Sequence, residues 1–194
     1  MGSSDLTTLP EKMRSVVVSG PGTVEVTQVV RPVPGPDDVL VKVRACGICG
    51  SDAFYISRGG IPPREGNTPL GHEPAGEVVE VGGNVTGIPV GAHVVINPMA
   101  APSGIIGNGG AAGALADYLL IENAELGKSL AIVPDHVPFA VAALNEPMAV
   151  ARHGVNRTNP LPATVWWSSV RDPSVWGPPS ASSSAALRAW WSWT

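Results

Sequence analysis

The chain holds two cysteines, spaced Cys46-x-x-Cys49 and followed at once by Gly50-Ser51-Asp52. That spacing suits a metal clip, a redox pair or two core thiols. Further along, His72 and Glu73 stand side by side in "GHEPAGEVVEVGGNV", Gly71 to Val85. Taken alone, such a histidine is more often a hydrogen-bonded core residue than a ligand. Beside an upstream thiol it gains meaning. Thiolate, imidazole and carboxylate are donors that suit Zn²⁺. Three protein ligands leave the fourth position of a tetrahedral ion open to water or substrate, which marks a catalytic site rather than a structural one.

The elements that must position these groups read mainly as strands. "SVVVSG", "TVEVTQVV" and "DDVLVKVRAC" are β-branched runs separated by Pro-Gly turns, and "EPAGEVVEVGGNV", "VGAHVVINP" and "LADYLLIE" continue the style. Glycine (23) and proline (20) are too frequent for long helices through most of the chain, and short strands with tight turns predict a β-barrel or sandwich. The segment around the two cysteines reads as β. Residues 139–154, "FAVAALNEPMAVARHG", are Ala-rich with helical spacing, and predict a helix interrupted near Pro147. The fold class is therefore mainly β (α+β) with a few short helices.

Composition bounds the partners. A 44% hydrophobic and 14% charged chain is globular. A net charge of -4 and a pI near 5.5 give no electrostatic reason to expect nucleic acid or an anionic membrane as a partner. The N-terminal segment lacks the apolar stretch of a secretory signal, and no run is long enough to span a bilayer. A cytoplasmic protein with reduced thiols is expected.

Taken together, the motifs resemble the zinc-dependent medium-chain alcohol and polyol dehydrogenases. The resemblance runs along residues 14–157. It rests on the signature GHE-x-x-G-x5-G-x-x-V, met by Gly71, His72, Glu73, Gly76, Gly82 and Val85, on the C-G-S-D segment from Cys49 to Asp52, and on "EPMAVARHGVNR", Glu146 to Arg157, which is similar to the sorbitol and threonine dehydrogenase branch. The resemblance implies a GroES-like, partly open β-barrel as the catalytic domain. It implies Cys49, His72 and Glu73 as zinc ligands, with Glu146 binding directly or through a water. Cys46 has no counterpart among the ligands and is assigned a structural role. Asp52 would accept a hydrogen bond from the far nitrogen of His72. Ser51 would hold the substrate hydroxyl and begin a proton relay, and zinc would lower the pKa of the alcohol so that hydride can leave. His93, His136 and His153 are assigned no chemistry.

Three departures from that family stand out. Residues 97–118, where many relatives carry a cysteine-rich lobe, hold no cysteine, so one catalytic zinc and no structural zinc is expected. Phe54 stands where relatives often place a histidine three residues after the relay serine. The family's nicotinamide cofactor, NAD(P), is bound by a Rossmann domain whose G-x-G-x-x-G turn is absent from this sequence. After Pro162 the composition changes, and all six tryptophans lie between Trp166 and Trp193. Read one base out of frame with GC-rich codons, Val165 to Ser174 gives V-V-V-V-G-A-G-P-I-G, a strand and a glycine turn. The expected organisation is a flexible N-terminus (1–13), the GroES-like zinc-binding domain (14–157), and an irregular tail (158–194) that is a frameshifted remnant of the Rossmann domain. The expected function is the catalytic part of a zinc-dependent, NAD(P)-linked dehydrogenase acting on a small alcohol or polyol, inactive by itself. The alternative is a non-enzymatic zinc-binding module that associates with a partner. Relatives often associate through the second domain, so an oligomer is compatible with the sequence.

Overall fold

The structure is a computed structural model that describes residues 9–61 and 67–157. The tail and most of the N-terminal segment lie outside the described residues. The order is β1 (Lys12–Gly20), β2 (Thr23–Val30), β3 (Val39–Gly47), α1 (Gly50–Arg58), β4 (Thr68–Pro69), β5 (Glu73–Val81), β6 (His93–Ile96), a 3-10 turn (Pro98–Ala100), β7 (Tyr118–Ile121), β8 (Leu130–Ile132), α2 (Phe139–Ala142) and α3 (Asn145–Arg157).

The strands form two sheets, ordered β2-β1-β4 and β7-β3-β5-β6-β8, and every named pairing is antiparallel. They do not close into a complete barrel. The sheets are joined beside β1, where Val16 N–H donates to the Leu115 carbonyl and Asp117 N–H to the Arg14 carbonyl. The Arg14 guanidinium adds a bond to Asp117 at 2.7 Å.

The core follows from strand alternation. On β6, Val94 and Ile96 face a cluster with Val39, Val41, Val78, Leu119, Ile121 and Leu130, whereas Val95 faces Ala75, Val133, Ala142 and Ala143 on the opposite side. The five-stranded sheet thus buries both faces, one against the loops and one against α2. Residues 97–118 help close the first face, for Ile106 and Ala114 are buried there.

One local expectation needs correction. The segment after Cys49 is helical, not β. α1 has Cys49 as its N-cap, Asp52 in its first turn and Arg58 in its last. It stops at Gly59, whose φ of 81° is a left-handed conformation that favours glycine. The C-terminal helical segment is interrupted near Pro147, as the sequence suggests. The chain turns at Ala143 and Leu144, between α2 and α3, and Pro147 falls in the first turn of α3. A proline is tolerated there because the first N–H groups of a helix have no intrahelical acceptor. Among the described residues, no helix is long and apolar enough to cross a membrane.

Candidate metal centre

Cys49, His72 and Glu73 arrive at one place from three local structures. Cys49 caps α1, immediately after β3. Glu73 is the first residue of β5, and its cross-strand partner is Gly47, near the end of β3. His72 sits just before β5, after Gly71, whose φ of 89° turns the chain. One ligand atom from each of the three residues lies within 4.8 Å of the other two. His72 is 8% exposed and Glu73 7% exposed.

Asp52 supports this set from beneath. It is 1% exposed. One carboxylate oxygen accepts the Cys49 N–H at 2.9 Å, and the other accepts the Gly71 N–H at 3.4 Å. The carboxylate therefore fixes the backbone on both sides of the donor set. Its distance to His72 Nδ1 is 3.8 Å, beyond hydrogen-bond range, and that nitrogen is buried with no hydrogen-bond partner. The expected contact between Asp52 and the imidazole is thus near, but not made in this structure. Ser51 is half-buried beside Cys49 in the first turn of α1.

Glu146 is outside the three-residue cluster but close enough to feel it. Burial pushes its carboxyl above the usual range; His72 opposes that shift and Glu73 adds to it. It is half-buried in the first turn of α3 rather than a surface carboxylate. Cys46 is a different kind of thiol. Burial pushes it up to about 12, opposed in part by a bond from the Glu73 backbone and reinforced by the carboxylates of Asp52 and Glu73. Such a thiol keeps its proton at neutral pH, which suits a packing role. Neither cysteine is in a disulfide.

The donor set fits a divalent ion. Asp52 and Glu73 are buried carboxylates, and Glu146 is half-buried near them. Burying such charge is costly without compensation. An ion held by thiolate, imidazole and carboxylate would offset the charge buried here, and these are zinc donors.

Residues that carried no chemical signal in the sequence also shape the site. A Cβ at Gly47 would fall on the Glu73 carboxylate. Tyr55 hydrogen-bonds through its hydroxyl to the Asn108 side chain, tying α1 to the loop below it. Burial and the charges of Asp52 and Cys49 raise the Tyr55 phenol above its ordinary range. Only the i, i+4 spacing from Ser51 could have pointed to it. Phe54 is 55% exposed with the Arg58 guanidinium 5.2 Å from its ring centre. His93 is partly buried on β6 and packs against Phe139, 4.3 Å between ring centres; His136 and His153 are exposed.

Comparison with known proteins places this arrangement in a class. The profile of the alcohol dehydrogenase GroES-like domain matches residues 35–135, more than half of the chain, and the chain belongs to that family. Among curated relatives, sorbitol dehydrogenase of Bacillus subtilis (strain 168) is 30% identical over 175 residues, which is 81% of this chain and 48% of the relative. The (R,R)-butanediol dehydrogenase of the same organism is 33% identical over 154 residues, 68% of this chain and 43% of the relative. Among solved structures, acetophenone reductase from Geotrichum candidum NBRC 4597, in complex with NAD, superposes with a TM-score of 0.69 at 26% identity, covering 81% of this chain and 50% of that one. The chain spans about half the length of the relatives it matches.

Proposed function

We propose that this chain is the metal-binding catalytic part of a zinc-dependent, NAD(P)-linked dehydrogenase of small alcohols or polyols. The observation that carries the reading is the convergence of Cys49, His72 and Glu73 ligand atoms within 4.8 Å, two of the three residues being buried. The family and its sorbitol and butanediol dehydrogenase relatives support the alcohol substrate class.

Cys49, His72 and Glu73 would hold the ion. When bound, zinc supplies Lewis-acid polarisation of an alcohol oxygen and so lowers the pKa of the hydroxyl. The residues of the chain do the rest. Asp52 holds the Cys49 and Gly71 amides, and with them the spacing of thiol and imidazole. A short shift of His72 would let its Nδ1–H donate to Asp52, leaving Nε2 as the donor to the ion. Ser51, two residues after Cys49, is assigned to accept a hydrogen bond from the substrate hydroxyl and to start the relay that passes the proton on to water. Glu146, whose raised proton affinity comes mainly from burial, is assigned as the nearby carboxylate that takes up or replaces a water at the open position. The hydride acceptor is the nicotinamide cofactor expected of the family, and no residue among those described is assigned to it.

The test is calorimetric titration of the zinc-loaded and zinc-stripped chain with a panel of secondary alcohols and polyols, with NAD⁺ and NADP⁺ reduction followed in parallel. Alcohol binding that requires the metal is the expected outcome. Tight zinc binding with no response to any alcohol would favour the non-enzymatic zinc module instead.

A further inference from the structure

We propose that Gly47 is a positioning residue of the metal site: its missing side chain is what lets the Glu73 carboxylate turn inward to join Cys49 and His72. The inference rests on the metal-site reading above.

Gly47 and Glu73 are directly opposed across β3 and β5. Opposed residues of an antiparallel pair carry their Cβ atoms on one face, and here they would stand closer than such pairs usually do. Here one of the two Cβ atoms is absent, and the other residue's carboxylate fills the space. A Cβ at Gly47 would overlap Glu73 Oε2 and would stand 3.0 Å from Cδ and 3.1 Å from Cβ of the same side chain. The three nearest obstacles are therefore all parts of one residue.

That pattern separates Gly47 from its neighbours. Gly71 has a φ of 89°, a backbone reason for glycine. At Gly76 a Cβ would meet the Lys42 carbonyl, a reason rooted in close strand approach. Gly47 is not among the glycines with positive φ, and no backbone atom is among its three nearest obstacles. Alanine suits the conformation of this strand position, and alanine is the better strand residue. What it would not suit is the Glu73 carboxylate. Glu73 Cβ is fixed by the strand, so the side chain must rotate away from its present place. Cys49 and His72 are reached from α1 and from the turn before β5, and neither depends on that space.

The proposal gives Gly47→Ala a defined effect: two ligands stay and the third leaves. Zinc affinity, measured by competition with a chromogenic chelator, is expected to fall by about 10- to 100-fold, the range seen when the support of a ligand is removed. Glu73→Ala is expected to show a loss of at least that size. In the Glu73→Ala background, Gly47→Ala is expected to change affinity by less than about twofold, because residues that act through one contact are not additive. A merely structural glycine would give the same loss in both backgrounds. Should Gly47→Ala fail to fold alone, its combination with Glu73→Gly, which removes the carboxylate and also the Cβ 3.1 Å away, must fold and bind zinc as Glu73→Gly does. The proposal is overturned if Gly47→Ala binds zinc like the wild type, if its loss is equally large when residue 73 is alanine, or if the combination with Glu73→Gly fails to fold. A wild type that binds no zinc overturns the metal reading itself, and this inference with it.

Discussion

Replacing Asp52 by Asn separates the two tasks that its carboxylate has in this structure. The carboxylate is almost fully buried, accepts the Cys49 N–H at 2.9 Å and the Gly71 N–H at 3.4 Å, and stands 3.8 Å from His72 Nδ1. Asn keeps the shape but has one acceptor oxygen. If that oxygen serves Cys49, the amide NH₂ must face the Gly71 N–H and the imidazole. One charge-assisted bond is lost and a buried donor is left without an acceptor, a cost of about 1.5–3 kcal/mol. For a chain of this size that lowers the melting temperature of the zinc-free protein by roughly 3–12 °C. The NH₂ also donates to His72 Nδ1, favouring the tautomer with its proton on Nε2. That nitrogen is then blocked as a ligand, and zinc affinity is expected to fall by about 10- to 100-fold. Urea and thermal unfolding of the stripped proteins read the first effect. Chelator competition reads the second. An Asn variant as stable as the wild type without zinc, and as tight with it, would refute the reasoning on both counts.

Two further outcomes follow from the same geometry. With zinc removed at pH 8, Cys46, pushed up to about 12, is expected to alkylate on the order of 10³-fold more slowly than a free thiol, for its thiolate fraction is that much smaller; labelling of Cys46 as fast as that of a small free thiol, read by peptide mass, would contradict this. Hydrogen bonds from Arg14 hold the Asp117 carboxyl below its usual range, partly opposed by burial, so its contribution to stability is complete above the unfolded carboxylate range and is lost as pH falls through the lower folded value. The stability gap between wild type and Asp117→Asn should therefore close on acidification and shrink in high salt; a gap that widens below pH 4 would exclude the pair as its cause.

How much of this was legible in the sequence depends on what each element needed. β1, β2, β3, β5, β6 and β7 were marked by β-branched runs between glycine turns. β4 and β8, of two and three residues, are too short to show a period. α1 was hidden because glycine brackets it on both sides and its nine residues span little more than two turns. Its one local sign was a capping-box spacing with cysteine in the cap position and Asp52 three residues on. Pro147 marked the interruption between α2 and α3, because a proline without an N–H sits only in the first turn of a helix, and α3 starts two residues before it. The residue types of the donor set stood out, but the choice of Cys49 over Cys46, and of Glu73 as a ligand, came from the family resemblance. Gly47 did not, because the space it leaves exists only once β3 lies against β5. Glu146 was nameable, but its half-buried place near His72 and Glu73 comes from the packing of α3 against β5.

The most direct test of the account is cobalt substitution at the proposed site, followed by the thiolate-to-cobalt charge-transfer absorption. The wild type is expected to take up one equivalent of Co²⁺ with that band present, and Cys46→Ser to do the same. Cys49→Ser is expected to lose the band. A band that survives in Cys49→Ser, or one that never forms in the wild type, would contradict the claim that Cys49, His72 and Glu73 together hold a metal ion.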